Sequence, residues 1–239
     1  MGGQANTPVT NSFSNFAGTI QSNISPNTTS GFSIVKWTGT GSAGTIGHGL
    51  GSAPLIVLFK SISGSSNWYF YTYQIDGSSD ELGLNLTEGK TDRSLTAPTS
   101  SLFYVDGQSE RNGSGATQLA YCFAEKQGYS KFGSYKGNGN ADGVFIYTGF
   151  KPAWIMIKAT SQNGEGWFMF DNTRDVDNAV DKHLTANLNN AEGSGSHGMD
   201  FVSNGIKIRN GGDGTNTSGG TYIYMAFAEN PFTSSAGTP

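Results

Sequence analysis

Acidic side chains are densest in one short stretch of the second half of the chain. Asp175, Asp177 and Asp181 lie close together there. Carboxylate oxygens are the ligands that Ca²⁺ prefers. An EF-hand loop is excluded, because Ala179 and Val180 stand where that loop needs an oxygen ligand and a glycine. The three aspartates are therefore candidate calcium ligands, and the alternative is an acidic surface loop that caps a short helix.

Aromatic side chains form the second group with possible chemistry. Trp68, Tyr69, Tyr71 and Tyr73 are almost consecutive, and Trp167 follows in the second half. Side chains alternate between the two faces of a strand, so about half of this group should point outward. We expect Tyr69, Tyr71 and Tyr73 to do so. The five residues are candidate ligand-binding side chains that stack on sugar rings, and the alternative is packing against the other half or another subunit.

Catalytic patterns are weak by comparison. Histidine is the usual general base, but His48, His183 and His197 do not recur at matching positions, and His48 aligns with Ile146 at an offset of 98 residues. No Gly-x-Ser-x-Gly elbow leads from a strand into a helix. We therefore predict no enzyme and no catalytic residue. Glu125 and Glu229 end matching strands, and they would be the carboxylates of the alternative, a polysaccharide depolymerase.

Composition excludes several classes of protein. The net charge is −4 and the sequence has no cluster of Lys and Arg, so binding to nucleic acid is not expected. No apolar run is long enough for a transmembrane helix. Cys122 is the single cysteine, so an internal disulfide cannot form. The 35 glycines and 12% aromatic residues are typical of many short strands joined by tight turns.

The strongest pattern is an internal repeat. Each half contains an aromatic residue before Gly-x-Gly, a proline before five largely apolar residues and a lysine, and a strand that ends in Phe-Ala-Glu. The offset between copies grows from 98 to 104 residues. The matched blocks are 37–41 with 135–139, 53–60 with 151–158, 67–71 with 166–170, 84–89 with 188–193, and 119–125 with 223–229. A repeat on this scale indicates one structural unit written twice.

The blocks predict strands. The apolar runs after Pro54 and Pro152 are typical of strands buried on both faces, and Leu82, Leu84 and Leu86 alternate as in a half-buried strand. We predict an all-β fold of two tandem, related β-sandwich units of the jelly-roll or lectin-like kind. The predicted boundaries are an N-terminal arm at 1–30, units at 31–128 and 129–232, and a tail at 233–239. One short helix is expected near 175–182.

The combination of these motifs resembles a known family. The carriers are Gly-His-Gly-Leu-Gly at 47–51, Tyr-Cys-Phe-Ala-Glu at 121–125, Lys-Phe-Gly-Ser-Tyr at 131–135, Gly-Phe-Lys-Pro at 149–152, and Gly-Thr-Tyr-Ile-Tyr-Met-Ala-Phe-Ala-Glu-Asn-Pro at 220–231. The chain is similar to a repeat family in virion proteins of tailed bacteriophages, especially of marine bacteria, which often adjoins lectin-like sandwich domains.

This resemblance implies a phage structural protein at the virion surface, outside cells. We expect a tail-fibre or receptor-binding type that forms homo-oligomers, with a trimer favoured. The N-terminal arm would contact other virion proteins, and a host surface glycan is the expected ligand. A capsid decoration or head-fibre protein, the depolymerase and a free secreted lectin are the alternatives. No cofactor is expected apart from the candidate calcium ion.

Overall fold

The computed structural model describes residues 13–231 except residue 213. It separates into two compact units. The described part of the first comprises residues 13–83 and 91–125, and that of the second comprises 84–90 and 126–231. The fold is almost entirely β, as predicted. None of the helices in the described part has the length and apolar character needed to span a membrane.

The first unit is built on an eight-stranded antiparallel sheet faced by a two-stranded one. In chain order its strands are β1 (Phe13–Asn15), β2 (Ser22–Asn27), β3 (Phe32–Thr38), β4 (Gly44–Gly47), β5 (Ile56–Ser61), β6 (Tyr69–Thr72), β7 (Ser79–Gly83), β8 (Thr91–Arg93), β9 (Leu102–Val105) and β10 (Thr117–Phe123). The large sheet has the order β1-β2-β3-β10-β5-β6-β7-β8, and β4 pairs with β9. A single helical turn, α1 (Ser109–Asn112), precedes β10.

The core of the first unit lies between these sheets. Trp37 of β3 packs edge-on against Phe59 of β5 and Phe103 of β9. Along β3 the inward side chains are buried, whereas Ile34 and Lys36 between them are exposed. The apolar run of β5 is buried on both faces, as its uninterrupted pattern predicted.

The segment before β3 is part of this unit, so the prediction of a separate arm at 1–30 is wrong for residues 13–27. We keep the name arm for residues 13–27. β2 pairs with β3 over its whole length, and Ile20 and Ile24 belong to the core. Residues 17–20 bond to β4, where the amides of Thr19 and Ile20 both donate to the Thr45 carbonyl at 3.0 Å. Burial of the two isoleucines and the strand pairing both contribute to the ordering of this polar segment. Residues 1–12 lie outside the described part.

The second unit pairs a five-stranded sheet with a three-stranded one. Its strands are β11 (Ser130–Lys136), β12 (Phe145–Tyr147), β13 (Pro152–Ala159), β14 (Trp167–Asp171), β15 (Leu184–Thr185), β16 (Met199–Val202), β17 (Gly205–Ile208) and β18 (Thr221–Ala228). The sheet orders are β11-β18-β13-β14-β15 and β12-β17-β16. Between them lies an apolar core that includes Ile146, Ile157, Phe170 and Phe201.

The helix predicted near 175–182 is absent from the structure, so that prediction is wrong. Val180 instead forms a β-bridge to Met199, and its side chain is buried in the core of the second unit. The Asp175 carboxylate accepts hydrogen bonds from the amides of Asp181 and Lys182 at 2.8 and 2.7 Å. These bonds hold an irregular loop in place of a helical turn.

One hydrogen-bonded clamp occurs in both units. In the first, the Asn112 carbonyl accepts the amide of Gly41 and its side-chain oxygen accepts the amide of Thr40. In the second, Asn216 binds Gly139 and Asn138 in the same way. Both loops carry their Gly-x-Gly at an offset of 98 and their asparagine at an offset of 104. The equivalence supports the predicted duplication.

The second unit has no counterpart of β1 and β2 among its described strands, and larger side chains fill its core. At the matching positions, Tyr222 replaces Gln118 and Tyr224 replaces Ala120. Both tyrosines belong to the core. A Cβ on Gly133 would lie 3.0 Å from the Tyr224 hydroxyl, so this ring lies against the glycine backbone.

A short piece of the first repeat belongs to the second unit. Residues 84–90 form turns after β7, so the predicted half-buried strand through Leu82, Leu84 and Leu86 ends at Gly83. The Thr87 carbonyl accepts the Lys158 ammonium at 3.1 Å, and Lys158 also donates to the Glu165 carbonyl at 2.8 Å. The Lys90 amide donates to the Thr160 carbonyl at 2.8 Å. The two units therefore do not coincide with the predicted boundary between residues 128 and 129.

The arm's place in the core gives a first prediction. Ile24→Ala should lower the free energy of unfolding by about 2–5 kcal/mol, because it opens a cavity in the first unit's core. The matched control is Ile34→Ala, which removes a side chain that is 36% exposed on the adjacent strand and should cost below about 1 kcal/mol. Urea unfolding followed by tryptophan fluorescence measures both. Equal losses for the two variants would contradict the assignment of the arm to the core.

Candidate functional site

Two aromatic rings stand exposed on the outer face of the three-stranded sheet in the second unit. Phe145 is 47% exposed and Tyr147 is 63% exposed, whereas Ile146 between them points into the core. The alternation of side chains along β12 therefore puts both rings on the solvent side. We call this pair, Phe145 and Tyr147, the aromatic platform.

A glycine lies beside each ring, and the one beside Phe145 is in close contact with it. A Cβ on Gly205, which pairs with Tyr147 across the sheet, would lie 2.8 Å from the Phe145 ring. The Phe145 ring therefore lies against bare backbone. A Cβ on Gly149 would lie 3.6 Å from the Tyr147 hydroxyl, so the second ring is also close to a glycine. Both rings are exposed to solvent on this face of the sheet.

Charged groups border the platform. Lys207 pairs with Phe145 across the sheet and forms an ion pair with Asp142 at 2.7 Å. On the next strand, Asp200 is bonded to Arg209 at 2.6 Å. An apolar ring surface beside fixed donors and acceptors suits a ligand with one apolar face and a polar rim. A sugar ring has that form.

The first unit cannot carry such a platform at the matching place. Gly47 corresponds to Tyr147, and a Cβ on Gly47 would lie 2.3 Å from Asn15 Nδ2 and 2.8 Å from the Ala17 Cβ. The arm therefore covers this position and leaves no room for a side chain. The platform was missed because the sequence comparison used an offset of 98 here, whereas Gly49 and Gly149 show that the local offset is 100.

The aromatic residues chosen from the sequence are mostly enclosed. Tyr71 is 2% exposed and Trp167 is 1% exposed, so neither can stack on an external ligand. Tyr69 packs against the first core, and the Tyr73 hydroxyl donates to the Thr96 carbonyl at 2.8 Å. Trp68 is half-buried and stacked on Tyr121 at 5.9 Å. The outward assignment of Tyr69 and Tyr71 is wrong, because β6 directs these two residues toward the core.

Tyr71 instead belongs to a buried charge network. Its hydroxyl donates to the Glu81 carboxylate, which also pairs with Arg111 and Arg93 at 2.5 Å each. Arg111 makes two further bonds to Asp106 at 2.8 and 3.0 Å. Burial raises the pKa of Tyr71 far above its usual range. Burial would also raise the pKa of Asp106, but its bonds to Arg111 lower that pKa overall.

The predicted calcium ligands do not come together. Among the described residues, Asp175, Asp177 and Asp181 are not part of any three-carboxylate cluster. Asp175 pairs with Lys182 at 3.2 Å, and Asp181 accepts the Gly195 amide at 3.1 Å. Calcium binding there stays a prediction.

Another acidic cluster does form. Asp76, Asp80 and Asp92 place carboxylate oxygens within 4.8 Å of one another in the first unit. Clusters of this kind are common on proteins without an ion, so the geometry alone identifies no metal.

The histidines have structural settings. His48 is buried, its Nδ1 accepts the Leu50 amide at 3.2 Å, and burial lowers its pKa. At the same turn of the second unit, the Thr148 hydroxyl accepts the Phe150 amide, so Thr148 rather than Ile146 is the counterpart of His48.

The other side chains considered for chemistry also contact neighbouring residues of the fold. The rings of His183 and His197 lie 4.8 Å apart beside Phe168. Burial raises the pKa of the Cys122 thiol, which leaves this residue as a small apolar part of the core. Glu229 pairs with Lys151 at 3.1 Å and accepts a bond from Asn172 at 2.8 Å. Glu229 is thus bonded to residues beside the start of β13 and the end of β14.

The buried network gives a second prediction. Arg111→Met should lower the free energy of unfolding by about 3 kcal/mol, because the buried Glu81 then keeps only the partly exposed Arg93 as its cation and Asp106 loses its ion-pair partner. Arg209→Met, which breaks a more exposed pair with Asp200, should cost about 1 kcal/mol or less. Thermal unfolding of both variants beside the native chain checks the difference. A loss below about 1 kcal/mol for Arg111→Met would contradict the role given to the network.

Lys158 gives a third prediction, on pH. Burial lowers its pKa from 10.5 to about 8. Between these values the unfolded chain binds more protons than the folded one, so this residue makes stability rise as the pH increases from about 8 to 10.5. Lys158→Met removes that contribution. The stability of the native chain minus that of the variant should therefore increase across this range, measured by urea unfolding at several pH values; a constant difference would contradict it.

Comparison with known proteins gives a family and no activity. No curated protein and no solved structure matches the chain. A family model described as "Domain of unknown function (DUF7483)" matches residues 6–231. This match covers both units, and the chain therefore belongs to that family.

Proposed function

We propose that this protein is a non-enzymatic structural protein on the surface of a tailed bacteriophage, of the tail-fibre or receptor-binding type, which adheres to glycans of the host surface. The observation that carries this proposal is the aromatic platform of Phe145 and Tyr147. In this proposal the platform stacks on the apolar face of a sugar ring. Lys207 and Asp200 at its border bind the hydroxyl groups.

Physical arguments favour a ligand for this surface. Exposed aromatic rings have an unfavourable contact with water, which is relieved when a partner covers them. The platform occupies the position that the arm covers in the first unit, so the structure of the duplicated fold does not require it. Two rings on neighbouring outward positions of one strand provide enough area for one sugar ring and part of a second.

The scaffold also suits adhesion outside the cell. Both units are two-layer β structures, the chain has a low charge content, and its single cysteine is buried, so the units need no disulfide to close. Rigid sheets hold binding side chains in fixed geometry more accurately than loops do. A homo-oligomer, with a trimer favoured, would multiply weak contacts with a repetitive surface polymer. Both the oligomer and the site on the virion are parts of this proposal.

The binding experiment defines a fourth prediction. The native chain should bind a subset of neutral bacterial surface oligosaccharides on a glycan array. The double variant Phe145→Ala/Tyr147→Ala should lose about tenfold or more in affinity, because removing water from a large apolar side chain contributes roughly 1.5–3 kcal/mol. Phe16→Ala is the matched control, since Phe16 is 74% exposed in the first unit. Equal binding by the platform variant, or no binding by the native chain, would contradict the adhesion proposal.

Location separates the tail-fibre proposal from a capsid decoration protein. Antibodies against the chain should label the tail region of phage particles in immunogold microscopy. Label on the capsid would overturn the tail-fibre assignment while leaving glycan adhesion intact. Release of oligosaccharides from host polymer by the purified chain, lost in Glu229→Gln, would overturn the non-enzymatic assignment.

A further inference from the structure

An open polar groove crosses the outer face of the first unit's large sheet. It has a volume of about 590 Å³ and is open to solvent along one side. The residues that line it include Gln21, Asn23, Lys36, Thr38, Thr40 and Thr117. All of them lie in the first unit, so this groove is separate from the aromatic platform of the second unit.

The sheet arranges these side chains in two rows. Thr38 of β3 pairs with Thr117 of β10, and Gln21 lies next to β2 beside them. In the second row, Lys36 pairs with Asn23 of β2. Neighbouring strands are about 4.8 Å apart, so the first row places polar groups at short steps across the sheet. The second row has two polar positions and continues into Leu119 of β10. Such a surface meets a chain of hydroxyl groups with donors and acceptors at several successive positions.

The side chains in the rows are available for a ligand. Gln21, Lys36, Thr38 and Thr117 make no side-chain hydrogen bond or ion pair with any residue in the described part of the chain. At one end of the groove the Thr40 side chain is already bonded, because its hydroxyl accepts a hydrogen bond from Asn112 at 3.0 Å. The wall is thus fixed by the clamp loop, while the floor keeps an amide, an ammonium and two hydroxyl groups exposed to solvent.

Charge indicates the kind of ligand. Lys36 is the only charged residue among those that line the groove, although the chain as a whole has a net charge of −4. A lone ammonium among neutral polar groups favours one anionic group surrounded by hydroxyls. One cation is too few for the phosphate backbone of a nucleic acid, which needs a basic stripe. We propose that the groove binds a short oligosaccharide that carries a carboxylate, such as a uronic acid, with Lys36 on the carboxylate.

The arm is essential to this groove. Gln21 and Asn23 both belong to the segment that adds β2 to the sheet. In the second unit, β11 corresponds to β3 and pairs only with β18 among the described strands, so the third strand of the floor is missing there. The groove is therefore a feature of the first unit, produced by the same segment that closes its core.

The test uses the intact chain and two defined ligands. A trimer of galacturonic acid and a neutral trimer of galactose are titrated into the native chain by calorimetry at low ionic strength. We expect measurable binding of the acidic trimer, at least tenfold tighter than of the neutral one, and a loss of about tenfold in Lys36→Met. Lys136→Met is the matched control, because Lys136 is an exposed lysine at the corresponding strand end of the second unit, and it should bind like the native chain.

A second variant protects the test against unfolding. Thr38→Val removes a hydroxyl from the floor without altering charge, and circular dichroism of all variants checks that they are folded. Thr38→Val should weaken both trimers alike, whereas Lys36→Met should weaken only the acidic one. Equal affinity for both trimers, an unchanged Lys36→Met, or no binding of the acidic trimer would each overturn the groove proposal. Because the platform variants lie in the other unit, failure of this test leaves the adhesion proposal standing, and the reverse also holds.

Discussion

The first unit depends on one interaction, the pairing of residues 13–27 with both of its sheets. An open strand edge exposes a row of unpaired amide and carbonyl groups, and a sandwich has such edges on both layers. Here β2 covers the edge of β3, while the residues before it bond to β4. The same segment inserts Ile20 and Ile24 into the core. Closure of the sheets and filling of the core are therefore achieved by one stretch of chain.

The second unit has no arm among its described residues, and larger side chains fill its core instead. It begins only a few residues after β10 ends, so the chain has no length for an arm between the copies. Tyr222 and Tyr224 fill the space that would otherwise be left in the core. Among the described residues, none covers β12 as Asn15 and Ala17 cover Gly47, and Tyr147 has room where the first unit requires that glycine. A difference in chain length before each copy thus explains why Tyr147 is exposed on β12 while its counterpart Gly47 in the first unit is covered.

The sequence predicted what periodicity and repetition encode. The all-β class, the strands after Pro54 and Pro152 and the buried setting of Cys122 follow from local patterns. The arm was misjudged because its composition is polar and only two isoleucines anchor it, which is too weak a pattern to indicate a strand. The face of β6 was misjudged because Trp68 to Tyr73 are aromatic at nearly every position, so alternation carries no information on direction. Tyr71 points inward, where its hydroxyl donates to Glu81 and its ring lies under the Arg111 guanidinium, and both partners are distant in sequence.

The arm determines which surface each of the two units exposes. The platform and the groove lie at positions where the two units differ because one has the arm and the other does not. The arm builds the groove by adding a strand, and it would bury the platform position if a matching arm were present. Asn15 and Ala17 cover the platform position of the first unit, and the strand that follows them, β2, forms part of its groove. In the described part of this chain, the unit with the arm therefore has the groove, and the unit without it has the exposed rings of the platform.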